Sequence, residues 1–164
     1  MTSSDDTLRF PVDAGLLLPQ QPPMRLIDEA LAADDASASS RTTVRADNLL
    51  LTAEGRFPAL GLIEVMAQTI GIFAGRLRAL EGEPPRPGLL LGTRRMTMAR
   101  AVWPVGTVFL CRAEKTFESD EGLWQFDCRV EAELDGEVVP AAEARLTVFN
   151  PPESAFPADI PAAQ

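Results

Sequence analysis

The chain has 164 residues with 15 basic and 24 acidic side chains, a formal charge of −9 and a pI of about 4.5, and it contains neither histidine nor tyrosine. This length accommodates one domain with a sizeable core but not two ordinary ones, and the acidic field repels a nucleic-acid backbone. Without imidazole, a Ser-His-Asp triad, a Cys-His pair and a histidine metal site are all excluded, and no metal is expected.

Residues 1–12 are polar and lack a basic segment followed by an apolar core, so they read as a flexible N-terminal segment of a cytoplasmic protein. Asp13 is placed to cap a short helical turn running to Leu18 before Pro19. From Gln20 to Asp28 a proline-stiffened loop is expected to enter a strand, and Thr42, Thr43 and Val44 favour a second strand over residues 36–46.

From Ala59 the period changes. Leu60, Ile63, Ala67, Ile70, Ala74 and Leu77 recur at three- and four-residue steps, which predicts a long helix ending before Gly82 and the Pro84-Pro85 pair. Leu62, Val65 and Ile72 fill its flanks, so most of its circumference needs cover. Glu64, Gln68, Arg76 and Arg78 interrupt the apolar run, which favours a buried helix over a membrane span.

Strands are expected over residues 88–101, 107–118, 123–134 and 138–149. The third is the clearest, because Trp124, Phe126, Cys128, Val130 and Ala132 alternate with Gln125, Asp127, Arg129, Glu131 and Glu133. Asp120-Glu121-Gly122 and Asp135-Gly136 are turn signals that connect the strands as an antiparallel meander. Cys111 and Cys128 lie in apolar runs and read as buried thiols of a reducing compartment. One long helix and a run of strands predict an α+β domain over residues 13–150, followed by a Pro/Ala-rich tail over residues 151–164 in which Phe156 and Ile160 are candidate surface anchors.

Three segments, Leu18-Pro-Gln-Gln-Pro-Pro-Met-Arg-Leu-Ile-Asp28, Gly61-Leu-Ile-Glu-Val-Met-Ala-Gln68 and Gly88-Leu-Leu-Leu-Gly-Thr-Arg-Arg95, resemble the 3-hydroxyacyl-ACP dehydratases of the hotdog fold. The spacing is most similar to the branch associated with aryl polyene and xanthomonadin pigment biosynthesis. The resemblance implies a curved antiparallel sheet wrapped around the central helix. It also implies pairing as a homodimer, or as a heterodimer with another hotdog protein, and an acyl substrate on the phosphopantetheine of ACP or CoA, with no further cofactor and no membrane partner.

Ordinary members use a histidine in a Gly-His-Phe-Pro loop of one subunit with a helix acid of the other. Here the resemblance places Glu64 at the acid and Gln68 at the family glutamine one turn later. Arg56 of Gly55-Arg-Phe-Pro58 occupies the histidine position, eight positions before Glu64 and thus closer than in ordinary members, and Gln20 stands where the first family motif has histidine. Guanidinium stays protonated and cannot replace imidazole as a base, so autonomous histidine-dependent dehydration is excluded.

Glu64 is the candidate catalytic residue, a carboxylate in an apolar helix where burial would raise its proton affinity. Candidate substrate-binding residues are Gln68, which orients Glu64 or binds the thioester, and Gly61 at the helix start, where free amides can polarise a carbonyl. Arg56, Arg94 and Arg95 are candidates for anionic or carrier-protein contacts. Asp28 reads as a structural carboxylate. The alternatives to a dehydratase-like enzyme are a thioesterase using Glu64 and a noncatalytic acyl-binding subunit.

Overall fold

The computed structural model describes residues 8–152; the anchors expected at Phe156 and Ile160 lie outside them. One 19-residue helix, α1 (Leu62–Leu80), is wrapped by an antiparallel sheet. The strands are β1 (Val12–Asp13), β2 (Glu29–Ala33), β3 (Ser37–Thr43), β4 (Arg56–Pro58), β5 (Leu89–Met98), β6 (Val102–Pro104), β7 (Val108–Glu118), β8 (Leu123–Leu134) and β9 (Glu137–Phe149). Seven of them form one sheet in the order β1-β2-β3-β7-β8-β9-β5, and β4 pairs with β6 as a separate ribbon. This is the α+β arrangement expected of a hotdog fold.

The helix stops where its residues require it to. Gly82 takes a left-handed conformation (φ 74°), the Gly82 amide donates to the Ala79 carbonyl at 3.0 Å, and the Glu83 amide donates to Arg78 at 2.9 Å. This closes the carbonyl end before Pro84 and Pro85. Glu64 in the first turn and Arg78 in the last complement the helix dipole.

By length and composition Ala59–Leu80 is apolar enough to cross a membrane, but here it is the core. Val65, Met66, Ile72 and Phe73 are buried against the sheet, and Phe73 packs edge-on against Trp124 and Phe126 at 5.5 and 5.3 Å between ring centroids. A second aromatic group, Phe57, Trp103 and Phe109, lies where the β4–β6 ribbon meets β7. Two polar core residues pair with each other: the Ser40 and Thr69 hydroxyls bond at 2.8 Å, and Thr69 also donates to the Val65 carbonyl at 2.7 Å.

The helical turn expected after Asp13 is present as Ala14–Leu16, with Asp13 Oδ1 accepting from the Gly15 amide at 2.7 Å. Its end seats directly on α1 at Gly75, where an added Cβ would stand 2.0 Å from the Leu17 carbonyl oxygen. Leu8, Phe10 and Val12 pack against the core, so packing holds these residues of the segment expected to be flexible.

The proline-stiffened loop runs through Asp28, and the strand it enters is β2, starting at Glu29. The backbone of residues 24–26 is hydrogen-bonded by a side chain of α1 in place of a neighbouring strand. The ribbon strands β4 and β6 carry no alternation that marks them in the sequence.

Because the contact at Gly75 is to backbone, a methyl group there forces the turn off the helix. Gly75→Ala is expected to destabilise the fold by about 3 kcal/mol, measured as a lower denaturant midpoint at unchanged slope. A midpoint equal to wild type would show that the Leu17 turn yields freely.

Candidate active site

Glu64 lies on the first turn of α1, half-buried. One turn later Gln68 is only 1% exposed, and its amide is fully committed. Gln68 Oε1 accepts from the Leu26 amide at 2.8 Å, while Nε2 donates to the Met24 carbonyl at 2.8 Å and to Glu64 Oε1 at 2.9 Å. The i, i+4 spacing puts both side chains on one helix face, and the 24–26 loop locks the glutamine rotamer. Gln68 is therefore a positioning residue that fixes one carboxylate oxygen of Glu64, with no free group of its own for a thioester. Glu64 Oε2 is engaged by no described residue.

The carboxylate opens on a cavity of about 160 Å³ between α1, the Pro19–Gln20 loop and the converging ends of β5, β8 and β9. Ile70, Ala74, Leu89, Trp124 and Val148 make an apolar wall, and Glu64 and Gln20 are among its polar groups. Among the described residues no cluster of Cys, Asp or Glu has the makings of a metal site. A single oriented carboxylate in an apolar cleft can transfer a proton, activate water or attack a carbonyl.

The other candidates are not gathered here. Arg56 is exposed on β4 opposite Pro104, away from the lining of the Glu64 cavity in the same chain. Gly61 makes a close packing contact, since a Cβ would meet the Phe57 ring at 2.9 Å and Leu50 at 3.1 Å. Arg94 and Arg95 fall in a bulge of β5 between the paired residues Thr93 and Met96, both exposed. Arg95 borders a groove on the outer face of the sheet instead of the cavity. Within the bulge, which is a shift of register against β9, the Thr93 hydroxyl donates to the Arg95 carbonyl at 2.8 Å.

Asp28 ties strands together, accepting from the Thr43 amide at 2.8 Å and from Arg45 at 2.9 Å. Sequence reasoning passed over Gln20 as a site residue. Its signal was an amide near the start of the Leu18–Asp28 motif, where the resemblance leads one to expect imidazole.

Both cysteines are free and buried. Burial pushes the Cys111 thiol up to about 12 from an ordinary 9.0, against a smaller opposing effect of the Thr69 hydroxyl. Burial also raises Cys128, aided by the neighbouring Cys111 and Asp127. Neither is a thiolate nucleophile near neutrality.

The architecture defines the class: a long helix held inside a curved antiparallel sheet, with an acid on the helix's first turn facing a cleft. The chain belongs to the ApeP-like family, described as ApeP dehydratase, which it matches over residues 12–158. Among solved structures it is similar to the dehydratase heterocomplex ApeI:P from Xenorhabdus doucetiae (TM-score 0.75, 24% identity, covering 87% of this chain and 93% of that one). It is also similar to a hypothetical thioesterase with coenzyme A from Streptococcus pneumoniae TIGR4 (TM-score 0.55, 16% identity, 74% and 83% covered). A third similar structure is smu.793 from Streptococcus mutans UA159 bound to acetyl CoA (TM-score 0.56, 13% identity, 79% and 94% covered). A search of curated proteins finds no match.

Gln68→Leu leaves the buried Leu26 amide without its partner and is expected to cost about 1–3 kcal/mol. Thermal melts would register this, and a melt within a degree of wild type would mean the 24–26 loop finds other partners. The raised thiols act on pH dependence in one direction. Their contribution to stability is full below 9.0 and is lost as pH rises from there toward 12. Native protein is expected to leave a thiol reagent unreacted at pH 8, and unfolded protein to consume two equivalents; prompt native labelling would place a cysteine at the surface.

Proposed function

We propose that this protein works on acyl chains carried as thioesters on the phosphopantetheine of ACP or CoA, supplying Glu64 to a dehydratase site completed by a histidine-bearing hotdog partner. The observation that carries this reading is Glu64 itself: one oxygen fixed by Gln68, the other engaged by no described residue and facing the cavity, in a histidine-free member of a dehydratase family. Dehydration removes the proton α to the thioester, forms the Cα=Cβ bond with that electron pair and expels the 3-hydroxyl as water once it is protonated. The carboxyl of Glu64 suits the protonation step, and the partner's imidazole takes the α proton.

The fold supports a partner. At one end of the sheet β1 has 2 residues, whereas at the other β5 runs for 10, its outer edge paired by no described residue, with Leu89, Leu90 and Leu91 exposed at 53%, 38% and 57%. Long apolar edges seek a second chain. Leu89 and Leu90 also line the Glu64 cavity, so a hotdog subunit paired along β5 would cover the site. That the similar Xenorhabdus structure is a heterocomplex supports a second, different hotdog chain in this role. Buried free thiols fit a cytoplasmic setting.

A thioesterase is the second reading, favoured by the same histidine-free carboxylate, since Glu64 can activate water against the thioester carbonyl without imidazole.

The test is co-expression with a histidine-bearing hotdog protein encoded beside it, co-purification, and mass-spectrometric detection of water loss from 3-hydroxyacyl-ACP. Glu64→Ala is expected to lower turnover at least a hundredfold without changing the mass of the complex in light scattering. Full dehydration by the Glu64→Ala complex would assign the chemistry to the partner alone. Free thiol released by this chain alone, and lost in Glu64→Gln, would move the assignment to hydrolysis.

A further inference from the structure

Two cations sit at the middle of the one long strand whose outer edge no described residue covers. Arg94 and Arg95 follow one another on β5, both exposed, and neither forms an ion pair with a described residue. Two other arginines of the sheet are matched, Arg129 to Glu143 at 3.0 Å and Arg145 to Asp127 at 2.6 Å. Thr93 pairs with Leu146 and Met96 with Ala144, so the bulge sets Arg94 and Arg95 together against the single Arg145 of β9. Arg145 already takes both oxygens of Asp127. The charge of the two edge arginines is therefore left for something outside the chain to meet.

Symmetry decides how this charge acts on a second copy of the same chain. Two identical antiparallel edge strands meet about a two-fold axis, so whatever lies at the middle of one strand faces itself. Pairing over the whole of Leu89–Met98 puts that axis between Thr93 and Arg94, and slipping the register by one residue moves it by only half a residue. Four arginines then gather at the axis, where like charges on facing strands repel. A different subunit meets no such constraint. It can set carboxylates against the bulge and apolar side chains against the exposed Leu89, Leu90 and Leu91.

We propose that Arg94 and Arg95 make β5 reject a second copy of this chain and accept a different hotdog subunit, one whose edge strand bears carboxylates opposite the bulge. This rests on the reading above that a partner pairs along β5, and it names what that partner carries. Attraction and repulsion divide the work between neighbouring residues of one strand. The leucines supply apolar burial that any edge could use, and the arginines bar the one edge always at hand, that of the chain's own copies.

The test needs only this chain. Sedimentation velocity is run on the full-length wild type, on the double variant Arg94→Glu with Arg95→Glu, and on their mixture, the variant carrying a fusion tag that sets the masses apart. Each alone brings like charges to the axis and is expected to pair weakly. The mixture sets glutamates against arginines and should form a one-to-one complex at least about tenfold tighter than either self-pair. Added salt should weaken the mixed pair and strengthen the self-pairs. If the charge-reversed chain fails to fold, Arg94→Gln with Arg95→Gln removes the repulsion alone and should pair with itself at least about tenfold more tightly than wild type. A mixture no tighter than wild type by itself overturns the inference. Arginines that serve an acidic carrier protein instead of a subunit would leave all pairings alike, which overturns it too. The acyl-thioester reading is judged separately, by water loss from 3-hydroxyacyl-ACP in the wild-type complex, and its failure would leave the pairing result untouched.

Discussion

The amide of Gln68 joins the 24–26 loop to the first turns of α1. It is buried beneath the 24–26 loop, holds that loop by both its backbone polarities, and spends its remaining donor on Glu64. In an interior where an unpaired polar group is costly, each bond enforces the other two. The loop cannot lift without stranding the glutamine, and the glutamine cannot turn without freeing the carboxylate. The orientation of the one acid facing the cavity is thus set by the same contact that closes the N-terminal segment over the helix.

That contact depends on how closely α1 is approached. Gly75 lets the turn ending at Leu17 rest on the helix backbone, and Gly71 lies against Leu18. These two small residues let the Leu17-Leu18 turn settle beside the helix, and the chain then leaves that turn along Pro19 and Gln20, both at the cavity wall. A bulkier helix surface would displace the loop, and with it Gln20 and the partners of Gln68. The sheet supplies the opposite wall through Trp124 on β8 and Val148 on β9, whose inward residues also form the core around Phe73. Core and site therefore share residues, so the site inherits the rigidity of close packing.

The sheet is unequal at its two edges. At one, the short β1 is followed immediately by a turn; at the other, the long β5 exposes a leucine run whose first residues line the cavity. Stability and function meet at that edge. An apolar strand edge seeks a partner, and in the proposed complex the partner that covers it also encloses the cleft holding Glu64.

Periodicity alone determined much of this. The helical run from Leu62, its stop at Gly82 and the Pro84-Pro85 pair, the alternation from Trp124 to Ala132, and the turn glycines Gly122 and Gly136 are local signals, each set by a few neighbouring residues. Glu64 and Gln68 were legible as a pair because helical spacing places them on one face, and the absence of histidine removed whole classes of chemistry. Tertiary structure decided the rest. The loop at residues 24–26 is held by a glutamine more than forty positions away, which takes the hydrogen bonds of the Met24 carbonyl and the Leu26 amide. Arg94 and Arg95 end a strand-like run, yet a bulge turns them away from the cavity. Gln20 looks like any polar loop residue until the fold seats it in the wall of the Glu64 cavity. Each of these outcomes depends on partners distant in sequence, which spacing along the chain does not encode.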